Sequence, residues 1–335
     1  MVIKPNQSAI NVNFSNFSQT KSPIKIHKPN ISKMDNKEKQ LTLTVAIPTC
    51  YGGESLLATA KGLRNSMGVG NFRFIICADR TPISPEIKSE LSRLGVELIW
   101  NDKEGSQLKK IKQTVDICDS DIYVSTQDDI TFEPGTLREI LSVFQSNPEA
   151  TMVGARVLPL PSETFFESAM ASMVRVIDHM VLKLKGKSNH LLASGRCLAF
   201  RTEHFKKFNL RESIVTGDMY MYLENRRLGG KFVLADKAII KIRCPQKISD
   251  QVGPSSRYQY ALKEMVSYFG QQAAAEYKIP IKALVLSFLE EFIRHPISLV
   301  SYMGVFIYTR LNKQPEKKVI DPVWDVDTST KQVNK

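Results

Sequence analysis

Between residues 41 and 126 the chain alternates short apolar runs with longer amphipathic ones. "LTLTVAIPT", "FRFIICADR", "VELIW" and "DIYVST" have strand length and are rich in β-branched and aromatic residues. Between them lie "ESLLATAKGLRNS", "SPEIKSELSRLG" and "SQLKKIKQTVDIC", whose apolar residues recur at helical spacing. Leu41 to Ile47 read as a buried strand closed by Pro48, and the second helix has Ser84 as its N-cap and Gly95 as its terminator. Strands that alternate with helices return parallel to one another, so the pattern predicts an α/β fold, a mostly parallel sheet flanked by helices. In such sheets ligands sit beyond the carboxyl ends of the strands. Asp79, Asp128 and Asp129 all stand at such ends.

Asp128 and Asp129 are the sharper signal. They follow the apolar run Ile122-Tyr123-Val124 and sit beside Gln127. Two adjacent carboxylates at the end of a buried strand repel each other and lose hydration, so something must neutralise them. One reading is a pair of caps on turn amides. The other is a hard divalent cation, Mg2+ or Mn2+, which takes carboxylate together with phosphate oxygens. The cation is the favoured reading, because the pair lies at the ligand-binding edge.

Beyond residue 137 the order continues with a helix in "TLREILSVFQSN", a strand in "ATMVGARVLPL" and a long helix in "SETFFESAMASMVRVIDHMVLKLKG". Strands in "GRCLAFRTEHF" and "KFVLADKAIIKI" flank a helix in "DMYMYLENRRLG". The Met- and Phe-rich stripe of the long helix reads as core, with the floor of a lipid-acceptor channel as the alternative. Residues 279–311 form the most apolar stretch, interrupted by Glu290, Glu291, Arg294, His295 and Pro296. Neither piece reaches the ~20 residues of a spanning helix. Two amphipathic helices lying on a membrane surface, with Lys282, Arg294, Arg310 and Lys313 toward anionic lipid, are one expectation. Two helices packed on the domain or on a partner are the other.

The 335 residues, 42% apolar, allow a full core, and Lys plus Arg exceed Asp plus Glu by 12. That surplus favours anionic partners but does not choose among them. The basic residues are dispersed and no nucleic-acid module is present, so nucleic acid is not an expected partner. The five cysteines, Cys50, Cys77, Cys118, Cys197 and Cys244, form no C-x-x-C pair. A disulfide framework or zinc site is not expected, and a cytoplasmic setting, peripheral on a membrane face, is. Residues 1–40 are rich in Asn, Ser and Lys and show neither a signal-peptide core nor a membrane span, so they read as a disordered polar basic arm.

Taken in order, "TVAIPTCYGGESLL", "FIICADRTP", "VSTQDDITFEPGTL", "SGRCLAFRTEHF", "TGDMYMYLENRRLGGKFVLAD" and "SSRY" resemble the family 2 glycosyltransferases of the GT-A fold, over about residues 43–260. The resemblance implies a Rossmann-like nucleotide-binding half and the transfer of one sugar, with inversion, from a nucleotide-diphospho-sugar (UDP- or GDP-sugar) to a glycan or lipid-linked acceptor. It implies that Pro48, Thr49 and Glu54 wrap the nucleotide and that Asp79 recognises base or ribose. Gln127-Asp128-Asp129 stands in place of the family's D-x-D, Asp129 being the metal ligand and Asp128 its neighbour in metal and donor binding. Asp218 matches the general base, with an N-cap role as the alternative reading. Gly195 and Arg196 match the segment beneath donor sugar and acceptor, and Arg257 matches the arginine of Q-x-x-R-W. Lys109 and Lys110 fall on a helix that often touches the nucleotide, although a solvated helix face explains them more simply. The chain departs from the family at Gln127 (for Asp), Gly217 (for Glu), Pro254 (for Gln) and Tyr258 (for Trp). The eroded last motif argues against a processive polysaccharide synthase.

The expected layout is a basic arm over 1–40 and a catalytic domain over 41–270, whose nucleotide-sugar half is 41–135 and acceptor half 136–270. An apolar helical tail over 271–312 and a polar tail over 313–335 complete it. A catalytically eroded scaffold is the main alternative function. A nucleotidyltransferase is less favoured, because "PTCYGGES" has no basic residue before Lys61. A dehydrogenase would need G-x-G-x-x-G after the first strand, which is not there.

Overall fold

The computed structural model describes residues 41–186, 189–315, 321–323 and 329–331. The arm expected over 1–40, and much of the polar tail expected over 313–335, lie outside the described residues. The chain runs β1 (Leu43–Thr49), α1 (Glu54–Arg64), β2 (Arg73–Ala78), α2 (Pro85–Arg93), β3 (Val96–Trp100), α3 (Gln107–Asp116) and β4 (Ile122–Thr126). It continues through β5 (Ile130–Phe132), α4 (Thr136–Ser146), β6 (Ala150–Pro159), α5 (Phe165–Lys183), a 3-10 turn at His190–Leu192, β7 (Cys197–Arg201) and α6 (Thr202–Phe205). Then follow α7 (Gly217–Arg227), β8 (Lys231–Ile242), α8 (Ser249–Phe269), α9 (Ala273–Glu276), α10 (Ile281–Arg294) and α11 (Pro296–Leu311).

The strands of the described residues make one sheet in the order β3-β2-β1-β4-β7-β6-β8-β5. β3, β2, β1 and β4 are mutually parallel, as the alternation predicts. β7 enters antiparallel to β4 and to β6, β8 runs parallel to β6, and β5 closes the far edge antiparallel to β8. Both faces are covered. Val45, Ile47, Ile122 and Val124 point into one core with α1, α2 and α4. Ala46, Tyr123, Leu198 and Phe200 point into the other with α3, α6, α7 and α8. Period-two alternation thus buries every residue of β1 and β4, which is why these runs read as continuously apolar.

Local chemistry sets the ends. Ser84 accepts the Ile87 N–H at 3.3 Å and Ser106 accepts the Lys109 N–H at 3.2 Å, each capping its helix. Gly95 has φ 65°, the left-handed conformation that ends α2. β1 runs past Pro48, not up to it: pairing with β4 stops at Ala46 and Ser125, so the proline stands where one side of the strand is unpaired. The run "GRCLAFRTEHF" is strand only to Arg201 and turns helical at α6.

Between Ala155 and Arg156 the β8 partner jumps from Ala235 to Ile239, so residues 236–238 bulge out of register. Bulges of this kind bend and twist a strand. The continuation, Ile240–Ile242, pairs with β5. The chain therefore leaves the centre of the sheet at Thr126 and reappears four residues later at its edge. Asp128 and Asp129 lie on that crossing.

α10 and α11 pack on α5. Arg175 meets the fully buried Glu291 at 2.9 Å, Lys183 meets Glu290 at 2.8 Å, and Leu299 packs on Val176 and Met180. The Met-rich stripe of α5 is thus core beneath these two helices. Among the described residues no helix is long and apolar enough to cross a membrane.

Candidate active site

The ends of β1 and β4 form the floor. Asp128 is buried, and its Oδ2 receives a short hydrogen bond from the Thr49 hydroxyl, which in turn accepts the Tyr51 N–H at 2.9 Å. Asp128 Oδ1 and Asp129 Oδ2 converge on one cation, the ammonium of Lys331, the latter at 3.0 Å. Burial raises the Asp128 carboxyl above its ordinary range, partly offset by Lys331 and added to by Asp129. Burial alone would depress the Lys331 ammonium, but the two carboxylates outweigh it and raise it. The group that neutralises the acidic pair here is therefore a lysine about two hundred positions away, which no sequence pattern singles out. "TSTKQVNK" carries no periodicity and no motif.

A chain of hydrogen bonds leads from this floor to Asp218. The Thr126 hydroxyl donates to the Arg196 carbonyl at 2.7 Å, because antiparallel pairing sets Thr126 opposite Cys197. The Gly195 N–H, one residue back, donates to Asp218 Oδ2 at 3.3 Å. A Cβ on Gly195 would lie 2.9 Å from the Asp218 Cβ, so only glycine lets the loop approach the start of α7 this closely. Asp218 Oδ1 accepts the neighbouring Met219 N–H at 2.9 Å. Thr216, not Asp218, holds the N-cap position; its side chain makes no cap bond to the helix. Glu264 of α8 instead accepts the Val215 N–H at 2.8 Å and the Thr216 N–H at 3.0 Å, fixing the loop ahead of α7. His190 stacks on Tyr277 at 4.2 Å near Asp218, and burial lowers the His190 imidazole below its ordinary 6.5.

The structure brings Thr49, Gln127, Asp128, Asp129, Gly195, Arg196 and Asp218 together in this way. Gln127 is half-buried beside the acidic pair, and Pro48 is buried just ahead of Thr49. Glu54 opens α1 with its side chain exposed.

Asp79 is more enclosed than a carboxylate open at a strand end. Its Oδ2 accepts the Gly105 N–H at 2.8 Å and the Lys110 ammonium at 2.5 Å. Its Oδ1 has no hydrogen-bond partner among the described residues and lies 3.7 Å from Arg80 Nε. Lys110 is only 3% exposed, which corrects the solvated-face reading for that residue: its ammonium is consumed by Asp79. Arg80 has φ 57°, alone among the described non-glycine residues in the left-handed region. Such backbone costs about 1 kcal/mol or more and collects at functional sites.

Arg257 lies in a different part of the chain. It sits on α8 and lines, with Thr216, Tyr260 and Glu264, a separate cleft of about 280 Å³ that none of the acids at 79, 128, 129 or 218 lines.

The pattern of the family described as glycosyltransferase like family 2 matches residues 43–266. No curated protein matches the chain. Among solved structures, the mannosyltransferase PcManGT from Pyrobaculum calidifontis, solved with GDP-Man and Mn2+, is similar over 83% of this chain and 77% of its own, at 10% identity and TM-score 0.50. TarS from S. aureus is similar at 10% identity and TM-score 0.43, over 81% of this chain and 53% of its own. Glucosyl-3-phosphoglycerate synthase from Mycobacterium tuberculosis, solved with Mn2+, UDP and glucosyl-3-phosphoglycerate, follows at 10% identity and TM-score 0.46, over 72% of this chain and 86% of its own. At such identity the likeness to PcManGT speaks for the fold alone. The family match spans two thirds of the sequence, from the first strand to the last turns of α8. The chain therefore belongs to the family 2-like glycosyltransferases: it is a glycosyltransferase built on the GT-A fold.

Proposed function

We propose that the protein moves one sugar at a time from a nucleotide-diphospho-sugar, UDP- or GDP-linked, to an acceptor hydroxyl, with inversion at the anomeric carbon. The observation that carries this reading is the pair of hydrogen bonds, Thr126 to the Arg196 carbonyl and Gly195 to Asp218, that links the end of the strand leading into the acidic pair with Asp218. It supports a reading in which a diphosphate-side cation seat and a carboxylate base serve one site.

The seat fits a hard divalent cation. Its donors are two carboxylate oxygens that already converge on a positive charge, and among the described residues no third His, Cys, Asp or Glu joins them. That set suits Mg2+ or Mn2+, which completes its shell with phosphate oxygens and water. Asp129 and Asp128 would hold the ion, and its chemistry is to neutralise the diphosphate as it leaves. Thr49 fixes the orientation of Asp128 and leaves one carboxylate oxygen for the cation.

Asp218 then acts as the base. It takes the proton of the acceptor hydroxyl as that oxygen attacks the anomeric carbon from the face opposite the diphosphate. The bond from that carbon to the diphosphate oxygen breaks, and its electron pair stays with the leaving group. Asp218 lies in the first turn of α7, where the helix dipole favours a negative charge. Its contact with the Gly195 N–H holds the carboxylate toward the acceptor side. Pro48, Thr49, Glu54 and Asp79 serve the nucleotide, Gln127 and Arg196 the donor sugar and phosphate, and Arg257 the acceptor flank.

The acceptor is lipid-linked or a glycan precursor at a membrane surface. Support comes from α10 and α11, where thirteen large apolar side chains are exposed beside exposed Lys282, Arg294, Arg310 and Lys313. Between the two helices runs an open apolar groove of about 490 Å³ lined by Leu284, Phe288, Phe292 and Leu299.

The test is a thermal-shift screen of UDP- and GDP-sugars with Mg2+ or Mn2+. A donor present at a hundred times its Kd stabilises the fold by about 2.7 kcal/mol, and EDTA should remove that gain. If no donor shifts the midpoint under any metal, the eroded-scaffold reading replaces the enzyme.

A further inference from the structure

We propose that residues 329–331 form an internal strap in which the Lys331 ammonium competes with the divalent cation for its seat, so that strap and metal exclude one another. The inference rests on the cation seat of the preceding section and adds to it an occupant from the chain itself.

Three observations carry it. The first is identity of atoms. Asp128 Oδ2 is held by Thr49, which leaves Oδ1, and Lys331 takes that oxygen together with Asp129 Oδ2. An ion held by both carboxylates would compete with the ammonium for these oxygens, and an ammonium and a metal cannot share one seat at bonding distance.

The second is that a segment is docked, not one stray side chain. Thr330 donates from its hydroxyl to Asp129 Oδ2 at 3.3 Å. One residue earlier, the Ser329 hydroxyl accepts the Gln246 N–H at 3.4 Å, just past the end of β8. The Lys331 side chain is only 15% exposed, against 7% for Asp128 and 16% for Asp129. A long, flexible, strongly hydrated side chain surrenders its freedom and its water only where opposite charge compensates.

The third is charge. Two carboxylates and one ammonium leave a net negative charge at the seat, which repels a diphosphate. Two carboxylates and a divalent ion leave none, and the ion offers further coordination sites to phosphate. The strapped form thus holds the site closed to donor, and binding of the metal with its diphosphate is the event that releases the strap.

The experiment uses the full chain. Mn2+ alone is titrated by calorimetry into the wild type and into Lys331→Ala. The strap predicts that the variant binds Mn2+ at least about tenfold more tightly. A second readout needs no substitution: acetylation of Lys331 by an amine-reactive reagent, followed by mass spectrometry, should rise as Mn2+ saturates the wild type. Equal Mn2+ affinity in the two proteins, or labelling of Lys331 that ignores Mn2+, overturns the strap and leaves the metal reading standing. Weaker binding of UDP or GDP with Mn2+ to Lys331→Ala also overturns it, because Lys331 would then be a donor ligand. Absence of Mn2+ binding even in Lys331→Ala brings down the metal reading itself, and the strap with it.

Discussion

A half-buried carboxylate with two backbone N–H donors, as Asp218 has, is held in one orientation, and its role can be separated from its packing. Asp218→Asn keeps the shape and the contact with Gly195 while removing the proton acceptor. Turnover should fall by about a hundred- to ten-thousandfold with donor affinity unchanged, read from initial rates beside calorimetric donor binding. A loss of donor affinity equal to the loss of rate would assign Asp218 to binding. Gly195→Ala should reproduce part of the rate loss, since the added methyl meets Asp218 at 2.9 Å. At this scale the sequence was informative where a residue stood at a strand end or a helix start. Asp128 and Asp129 could be singled out for that reason, and Asp218 through the family resemblance. It was uninformative where a role depends on a distant partner. Lys110 looked like an exposed helix residue until its pairing with Asp79 was seen, and nothing near Lys331 predicts its destination.

Among the elements, the turn at His190–Leu192 and α9 are held together by one imidazole. His190 Nδ1 lies 2.9 Å from the Glu276 carbonyl and the ring stacks on Tyr277, with Asp218 close by. Burial lowers its pKa below the ordinary 6.5, so the unfolded chain binds the proton more readily than the folded one. Stability should therefore be complete above about pH 6.5 and decline as the pH falls below it, down to the folded value. Chemical denaturation between pH 7.5 and 5 checks this: His190→Gln should flatten that part of the profile, and an unchanged slope would clear His190. The elements legible in sequence were those with a clear period. β5 was not, being three residues long and recruited by a bulge in a strand far ahead. α8 was not either, because Gly253 and Pro254 in "SDQVGPSSRY" resemble a break, whereas the helix runs through both, with Pro254 inside it.

For the molecule as a whole, the exposed apolar surface of α10 and α11 sets a further expectation. Burying even half of those side chains in a headgroup layer, at about 1.5–3 kcal/mol each when fully covered, would far outweigh the loss of freedom of one bound protein. Flotation with vesicles containing anionic lipid should carry the wild type upward. Ile293→Glu with Ile297→Glu, both more than two thirds exposed, should leave it at the bottom without lowering the melting midpoint. Flotation of that variant would place the contact elsewhere.

The crossing from β4 to β5 ties the middle of the sheet to its rim. The loop that carries Asp128 and Asp129 is tethered at one end to the middle of the sheet, beside β1, and at the other to its rim, beside β8. Any change in the curl of the sheet between its middle and its rim must therefore pull on that loop and alter the spacing of its two carboxylates.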